Sequence, residues 1–283
     1  MKLITSPSQI QSYCRLARAE GKTIGLVPTM GFLHEGHLSL MRPARVENDL
    51  LVVSIFVNPT QFCPNEDYEA YPRDLQRDSE MAAEVGVDVI FSPTAKDMYP
   101  NGYATFVNVE RVTEKLCGAA RPGHFRGVTT VVAKLFNLTQ PHRAYFGQKD
   151  AQQTVVIRRM VEDLNFGVEI VVLPTVREDD GIAMSSRNKY LKEDERQAAL
   201  VLIRSLRMTE ELIRSGQRDA AEINRRIRDM IEAEPLARID YIALVNADTL
   251  ADLDTVKGKT LIALAVFIGK TRLIDNVVLD GDR

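Results

Sequence analysis

Several residue types and patterns are scarce in this sequence of 283 residues. It has no tryptophan and only three cysteines, Cys14, Cys63 and Cys117, whose odd number and wide spacing give no sign of a disulfide framework. Reduced thiols are typical of the cytoplasm, so we expect a cytoplasmic protein. No apolar run approaches the roughly 20 residues that span a bilayer, and the N-terminus lacks the hydrophobic region of a signal peptide. We therefore expect no membrane partner.

An excess of basic charge is also missing. Lys and Arg total 36 against 39 Asp and Glu, for a net charge of −3, and there are no basic tracts. This balance argues against nucleic acid as the main partner. With 45% hydrophobic and 27% charged residues, the composition is that of a globular protein with enough core for one large or two modest domains.

The most informative stretch is an apolar run, residues 23–28, followed by a turn that contains two of only four histidines. His34 and His37 stand beside Gly31 and Gly36, and a helix-like apolar pattern follows. A glycine turn from a parallel strand into a helix N-terminus is where α/β folds bind phosphates, because free N–H groups and the helix dipole point outward there. If the helix begins near the first histidine, both imidazoles lie in its first turn on nearly the same side.

The two histidines could instead pack structurally or share a metal ion. Finding two of four histidines in one turn favours a functional role over packing. No cysteine or carboxylate cluster nearby completes a ligand set, so we predict that the protein itself binds no metal here. Gly36 would let a phosphate or a ribose approach the backbone without meeting a Cβ.

Amide side chains follow the next predicted strand, residues 50–57. Asn58 and Gln61 stand just beyond its carboxyl end, where open α/β sheets bind ligands. Amides suit a substrate rich in hydroxyl and carboxylate oxygens, although a turn-forming Asn-Pro pair explains Asn58 equally well. Farther on, Arg121 and His124 precede a predicted helix, where they could hold an anion or belong to a solvated loop.

A cation and a hydroxyl cluster follow two later predicted strands. Residues 144–147 lead into Lys149, which could face phosphates held by the first turn. Beyond residues 169–173 comes Ser-Ser-Arg, residues 185–187, a cluster suited to phosphate oxygens. On composition alone, a turn with a helix cap is the better explanation of that tripeptide.

The order of the predicted elements indicates an α/β fold. Strands separated by helices predict a Rossmann-like, doubly wound parallel sheet, with strands at residues 23–28, 50–57, 87–91, 144–147 and 169–173. The later order is helix, helix, strand and strand, with the strands at residues 239–245 and 261–268, and it predicts a smaller α+β domain. We place the two domains at residues 1–175 and 176–283, with the second closing over the strand ends of the first.

Local signals predict further detail. Ser6 as N-cap, Pro7 at the first helical position and Gln9 three residues after Ser6 predict a helix. Residues 72–85 are predicted to form a helix that ends at Gly86, and residues 104–109 to form an additional strand.

Resemblance to known families sharpens the functional interpretation. His-x-Gly-His at residues 34–37, after the first strand, resembles the signature of a nucleotidyltransferase superfamily that includes class I aminoacyl-tRNA synthetases. The longer string Pro-Thr-Met-Gly-x-Leu-His-x-Gly-His, residues 28–37, closely resembles the pantothenate synthetases (pantoate–β-alanine ligases). Val-Ser-Ile-Phe-Val-Asn-Pro-x-Gln-Phe, residues 53–62, and the later Ser-Ser-Arg agree with it. The resemblance covers nearly the whole chain and is densest over residues 23–188.

This resemblance implies a reaction and its requirements. The reaction is the ATP-dependent condensation of (R)-pantoate with β-alanine to pantothenate, a coenzyme A precursor, through a pantoyl adenylate, with release of AMP and pyrophosphate. ATP would be a substrate together with pantoate and β-alanine. The resemblance further implies Mg²⁺ held mainly by the phosphates, and a homodimer.

The resemblance also implies roles for individual residues. The catalytic residues would be His37, His34 and Lys149. The implied ATP-binding residues are Met30, Gly31, His34, Gly36, His37, Gly147, Lys149, Asp150, Val176, Met184, Ser185, Ser186 and Arg187. The implied pantoate- and β-alanine-binding residues are Gln61, Gln153, Asn58, Arg121 and His124. This chain has Gln148 where the family more often has Glu, which leaves Lys149 and Asp150 in place and puts in doubt only a role for that carboxylate.

Two other functions share some of these features. A nucleotidyltransferase that makes a dinucleotide from ATP would also carry His-x-Gly-His, but it would retain AMP in its product. A non-catalytic nucleotide-binding module is the other alternative. It would need neither a second cation motif nor paired glutamines, so Lys149 and Gln61 argue against it.

Overall fold

The computed structural model describes residues 1–64 and 66–282. Within those residues there are nine β-strands: β1 (Lys2–Ile4), β2 (Ile24–Thr29), β3 (Leu50–Ile55), β4 (Val89–Phe91), β5 (Arg143–Gly147), β6 (Glu169–Leu173), β7 (Ala237–Asn246), β8 (Lys259–Ile268) and β9 (Thr271–Asp280). The same residues form nine α-helices: α1 (Pro7–Ala19), α2 (Glu35–Glu47), α3 (Leu75–Val85), α4 (Ala95–Met98), α5 (Cys117–Ala120), α6 (His124–Thr139), α7 (Ala151–Asp163), α8 (Glu193–Arg214) and α9 (Ala220–Glu232).

Strands β1 to β6 form one parallel sheet in the order β1-β4-β3-β2-β5-β6. The predicted Rossmann-like parallel sheet is therefore confirmed. Strand β2 has β3 on one side and β5 on the other, so the strand order reverses between β2 and β5. In open α/β sheets, ligands bind beyond the carboxyl ends of the strands at such a switch point. The turns that follow β2 and β5 therefore face the same crevice.

Both faces of this sheet are covered by helices, which explains why its strands are apolar throughout. All six residues of β3 are buried. Successive strand residues point to opposite faces, so Val52 packs with helices α1, α6 and α7, while Val53 packs with α2 and α3. Burial of a valine-sized side chain contributes about 1.5–3 kcal/mol, and this two-sided core fixes the strand ends that carry the site.

Strand β1 was not predicted from the sequence. It has three residues, none of them buried, so it shows no hydrophobic period. Its place in the sheet comes from its pairing with β4, in which Leu3 lies opposite Ile90. A strand this short forms because the sheet edge offers it a partner, not because of its own side chains.

One local prediction is confirmed and another needs correction. Helix α1 begins at Pro7 with Ser6 as its N-cap residue, although the Ser6 side chain makes no cap hydrogen bond and instead lies 2.9 Å from Ser8 Oγ. Residues 104–109 do not form a strand. Side chains of α6 bond that backbone in place of a strand partner: Val107 N donates to Thr130 Oγ1 at 3.0 Å, and Thr129 Oγ1 donates to the Val107 carbonyl at 2.7 Å.

The predicted helix at residues 72–85 begins later than expected, at Leu75. Asp74 is its N-cap and accepts a hydrogen bond from Arg77 N at 3.1 Å. Gly86 ends the helix with a φ of 85°, as predicted, in the left-handed conformation that glycine adopts without strain.

The remainder of the chain folds around a small antiparallel sheet in the order β7-β8-β9. Helices α8 and α9 pack on it through Leu202, Ile223 and Ile227. The predicted helix–helix–strand–strand order is correct but incomplete, because β9 was missed. Polar residues of β9 break its apolar pattern, and Asp275 and Asn276 are nevertheless buried because each has polar partners.

The predicted division of the chain lies between the two sheets. Strand β6 ends at Leu173 and the small sheet begins at Ala237, so the division between residues 175 and 176 falls between them. We propose that it separates a nucleotide-binding domain from a smaller domain that faces its strand ends.

No helix within residues 1–64 and 66–282 has the length and apolar character needed to cross a membrane.

Candidate active site

Contacts with β3 and α3 hold the turn after β2 in a tight conformation. Gly31 has a φ of 83°, and a Cβ there would lie 2.9 Å from Ile55 Cγ2 and 3.0 Å from Asp78 Oδ2. Asp78 accepts hydrogen bonds from the backbone N–H groups of Phe32 at 2.8 Å and Leu33 at 2.7 Å. Its side chain is 1% exposed. Helix α3 thus fixes the backbone that leads directly into His34.

His34 is the N-cap residue of α2, which meets the condition that the helix begin near the first histidine, and its ring lies against that of His37 with 4.0 Å between centroids. His37 Nδ1 accepts a hydrogen bond from His34 N at 3.2 Å. A neutral histidine that accepts through Nδ1 carries its proton on Nε2, so His37 presents an Nε2–H donor.

Both imidazoles are held in the neutral form. Burial and then the Lys149 cation lower the pKa of His34 to about 4. Burial, His34 and Lys149 hold the pKa of His37 well below its usual value. His34 Nδ1 is buried and has no hydrogen-bonding partner among the described residues. The turn therefore offers neutral imidazole groups beside a cation.

Gly36 and Met184 close the first turn of α2. A Cβ at Gly36 would lie 3.0 Å from His34 Nδ1, so a larger residue would displace that ring. Gly36 N donates to the thioether sulfur of Met184 at 3.2 Å, a weak acceptor. A ligand oxygen would be a better acceptor for this helix-terminal N–H.

The predicted residues converge on one cavity of about 250 Å³ at the switch point. Of the residues expected to bind ATP, pantoate or β-alanine, all of them in the described part of the chain, only Gly31 lies outside its lining. The lining includes Met30, His34, Gly36, His37, Asn58, Gln61, Arg121, His124, Gly147, Lys149, Asp150, Gln153, Val176, Met184, Ser185, Ser186 and Arg187. A larger cavity of about 1000 Å³ shares several of these residues and extends along the small sheet.

Asn58 is occupied by protein groups. It is 1% exposed, and its Nδ2 donates to Gln61 Oε1 at 3.0 Å and to the Gly127 carbonyl at 3.1 Å. Its Oδ1 accepts from Tyr99 Oη at 2.7 Å and from Thr60 Oγ1 at 2.9 Å. Asn58 therefore orients Gln61, whose Nε2 is left facing the cavity beside Met30 Sδ at 3.2 Å.

Arg121 and His124 lie behind Gln61. Arg121 donates to both carboxylate oxygens of Glu66, at 2.6 and 2.7 Å, and its Nη1 lies 3.0 Å from His124 Nε2. An arginine only donates, so His124 Nε2 accepts and its Nδ1–H donates to the Gln61 carbonyl at 2.7 Å. Burial and the neighbouring Arg121 lower the pKa of His124 to about 4. This network fixes the backbone of Gln61.

The Ser-Ser-Arg loop closes the cavity from the opposite side. Ser185 accepts a hydrogen bond from Arg187 N at 3.3 Å and so caps a short 3₁₀ helix, Ser186–Tyr190. The local structure of the tripeptide is therefore the turn with a helix cap that composition alone favoured. Arg187 donates to both carboxylate oxygens of Asp67, at 2.7 and 3.0 Å. Tyr71 Oη lies 3.3 Å from Ser186 Oγ.

Sequence reasoning missed Asp78, Tyr71, Asp67 and Asn276. Asp78 had a signal, because it stands in the same helical stripe as Met81 and Ala82, and a charge in an apolar stripe indicates a buried partner. The others have no local signal, since each bonds to groups distant in the sequence. No cluster of three or more His, Cys, Asp or Glu suited to a metal ion occurs in the part of the chain that the structure describes.

The turn that carries His34 and His37 (the histidine turn) lies at the switch point of a parallel sheet, and the turn that carries Lys149 (the lysine turn) and the Ser-Ser-Arg loop line the same cavity. This arrangement is typical of a nucleotide-binding site in an α/β protein. A family model described as pantoate-beta-alanine ligase matches residues 2–278, and the chain belongs to that family.

Pantothenate synthetases from other organisms match this chain over nearly its full length. The chain is 60% identical over 280 residues to the pantothenate synthetase of Moorella thermoacetica, covering 99% of both chains. It is 59% identical to that of Acetivibrio thermocellus, covering 99% of this chain and all of the other. The crystal structure of pantothenate synthetase from Thermus thermophilus matches with a TM-score of 0.92 and 47% identity, covering 98% of this chain and 99% of that one.

A second solved structure contains ligands. It is pantoate-beta-alanine ligase from Francisella tularensis complexed with beta-gamma ATP and beta-alanine. The match has a TM-score of 0.77 and 37% identity, and it covers all of this chain and 98% of that one.

Proposed function

We propose that this site ligates pantoate to β-alanine in two steps on one set of residues. In the first step a pantoate carboxylate oxygen attacks the α-phosphorus of ATP, forming pantoyl adenylate and releasing pyrophosphate. In the second step the β-alanine amine attacks the acyl carbon, and the acyl–oxygen bond to AMP breaks. The products are pantothenate, AMP and a proton. The observation that carries this proposal is that the histidine turn, the lysine turn, Gln61 and the Ser-Ser-Arg loop line one cavity.

The phosphate end of the cavity supplies preorganised donors. A carboxylate is a poor acylating agent, so the enzyme must stabilise the negative charge that builds up as the α–β phosphate bond breaks. His37 Nε2–H, the Lys149 ammonium and the N-terminus of α2 are suited to this task. Because both histidines are neutral, they act by hydrogen bonding, and the positive charge comes from Lys149 and Arg187.

The pantoate end of the cavity is built from amides. Among the described residues, Gln61 Nε2 has only a weak sulfur acceptor, while its Oε1 is held by Asn58. A hydroxyl or carboxylate oxygen of pantoate would therefore gain a donor that the protein leaves poorly paired. We assign Gln61 and Gln153 to pantoate, and we assign Asn58, Arg121 and His124 to the wall that positions Gln61.

Mg²⁺ fits this site as a companion of ATP. The described residues offer no carboxylate and histidine cluster for a dedicated metal site. Magnesium keeps several waters and is commonly held by substrate phosphates, so we propose that it arrives with ATP and offsets phosphate charge.

Two further expectations accompany the proposal. We propose a homodimer, supported by the family resemblance, and sedimentation equilibrium at several concentrations tests it. We also propose a cytoplasmic location, supported by the free thiols of Cys14, Cys63 and Cys117.

The test of the function is the product balance. Free AMP should appear in proportion to pantothenate, and only when ATP, pantoate and β-alanine are all supplied. A dinucleotide-forming nucleotidyltransferase would release pyrophosphate and retain AMP in its product. A non-catalytic module would release neither AMP nor pyrophosphate. Either of these two results would overturn the proposal.

A further inference from the structure

Asn276 joins the last strand of the small sheet to the turn that carries Lys149. Its Nδ2 donates to the backbone carbonyls of Gln148 at 3.1 Å and Lys149 at 2.8 Å. Its Oδ1 accepts a hydrogen bond from Gln148 Nε2 at 3.0 Å. Asn276 is 5% exposed, so these bonds form largely away from water. Three hydrogen bonds therefore tie β9 to the turn that follows β5.

The partners fix the orientation of the Asn276 amide. Backbone carbonyls only accept, so the two N–H groups of Asn276 must face them and its Oδ1 must face away. That oxygen needs a donor, and Gln148 supplies one. An ionised glutamate at position 148 could not, because a carboxylate only accepts. The glutamine of this chain thus completes the hydrogen bonding of Asn276.

The strand that carries Asn276 is itself firmly held. Its neighbour Asp275 is 3% exposed and accepts from Arg177 at 2.7 and 3.0 Å. Asp275 Oδ1 also accepts from Asn276 N at 2.8 Å, and Asn276 stands opposite Ala263 in the β8–β9 ladder. A side chain mounted this way constrains the lysine turn, because its own backbone has little freedom.

We propose that Asn276 is a positioning residue for Lys149 in the formation of the acyl adenylate. The inference rests on the proposed role of Lys149 at the ATP phosphates. A lysine ammonium stands on a flexible stem, so the site fixes its reach by fixing its backbone. The side-chain polar atoms of Asn276 are both bonded to protein groups, so Asn276 acts through the lysine and not on the substrate.

The test separates the two half-reactions. Asn276→Ala should slow pyrophosphate exchange into ATP in the presence of pantoate by about 10- to 100-fold, since small displacements of a reacting group are costly. Attack of β-alanine on supplied pantoyl adenylate should stay within about twofold of the unchanged enzyme, and thermal unfolding should show a folded protein. Asn246→Ala is the matched control, because Asn246 lies in β7 of the same sheet and accepts from Asp248 N and Thr249 N at a turn outside both cavities.

A second variant keeps the test decisive if Asn276→Ala does not fold. Gln148→Met keeps the side-chain length but removes the donor to Asn276 Oδ1. It should reduce exchange in the same selective way, though less. Combining Asn276→Ala, or Gln148→Met, with Lys149→Ala should add no further loss, because both residues act through the lysine.

Different outcomes would overturn different parts of the proposal. If Lys149→Ala impairs exchange while Asn276→Ala and Gln148→Met do not, the positioning role is wrong and the proposed function stands. Equal loss of both half-reactions in a folded variant, or losses that add to that of Lys149→Ala, would likewise overturn the positioning role. Normal exchange in Lys149→Ala would instead overturn the assigned role of the lysine, and the positioning role with it.

Discussion

Arg187 and Asp67 form a two-point ion pair in the lining of the larger cavity, although 120 residues separate them in the sequence. The Arg187 Nε and Nη2 groups donate to Asp67 Oδ2 at 3.0 Å and Oδ1 at 2.7 Å. The same two-pronged geometry suits a phosphate. The arginine that we assign to the ATP phosphates is thus paired with a carboxylate, which a phosphate would have to replace.

Asp67→Asn should therefore strengthen the binding of phosphate ligands. Removing the competing carboxylate frees Arg187, and we expect product inhibition by pyrophosphate to tighten by about two- to fivefold, the scale of a partly exposed ion pair. Asp229→Asn is the matched control, because Asp229 pairs with Arg225 on the exposed surface of α9. Unchanged or weaker inhibition in Asp67→Asn would mean that Asp67 positions Arg187 for phosphate instead of competing with it.

His34→Ala and His37→Ala should each leave the protein folded but sharply reduce pantoyl-adenylate formation. Loss of one preorganised donor to a developing charge typically costs about 10²–10³ in rate. Single-turnover measurement of the adenylate checks this. His142→Ala serves as the control, since His142 accepts from Ile24 N at 2.9 Å at the opposite end of β2. Near-normal adenylate formation, or failure to fold, would contradict the assignment.

His124 should make stability depend on pH. Burial and Arg121 lower its pKa to about 4 in the folded protein, from an ordinary value of 6.5. Between these values the unfolded chain binds more protons than the folded chain, so acidification from pH 6.5 to pH 4 reduces stability. In His124→Gln, the amide can still donate to the Gln61 carbonyl and accept from Arg121. Urea-unfolding midpoints from pH 7 to pH 4.5 should fall less steeply for this variant, and an identical slope would show that His124 does not titrate as described.

Gln61→Ala should weaken pantoate binding before ATP binding. Its Nε2 is the cavity donor that we assign to pantoate oxygens, and a site built to pair such groups discriminates strongly by them. Titrating pantoate and ATP separately measures the two affinities. Gln217→Ala, outside both cavities, controls for the loss of a glutamine. Equal loss of both affinities, or loss of ATP binding alone, would show that Gln61 belongs to another ligand.

The sequence predicted the features that depend on local signals. The histidine turn, the lysine turn and the buried strand β3 could be recognised because their residues are contiguous and follow a glycine or hydrophobic pattern. Convergence at the switch point then follows from parallel-sheet topology, which fixes where strand ends meet.

The supporting contacts could not be predicted in the same way. Asp78 bonds to a residue of the histidine turn that is 46 positions away in the sequence. Asp67 and Arg187 are 120 positions apart, and Asn276 is 127 positions from Lys149, whose carbonyl it bonds. The pairing of two groups so distant in sequence is decided by tertiary packing. The same reason accounts for the missed strands β1 and β9, which form because a neighbouring strand offers a partner.

The order of events is the central claim, and isotope exchange tests it most directly. The carboxylate is activated first, so labelled pyrophosphate should exchange into ATP when pantoate and magnesium are present and β-alanine is absent. The bound adenylate should persist, because residues on both sides of the proposed domain division, up to Thr175 and from Val176 to Arg187, line the cavity and would exclude water. Replacing Ser185 and Ser186 with alanine should slow this exchange while leaving β-alanine attack on supplied pantoyl adenylate comparatively unharmed. Exchange that required β-alanine would contradict the two-step account and favour a concerted reaction.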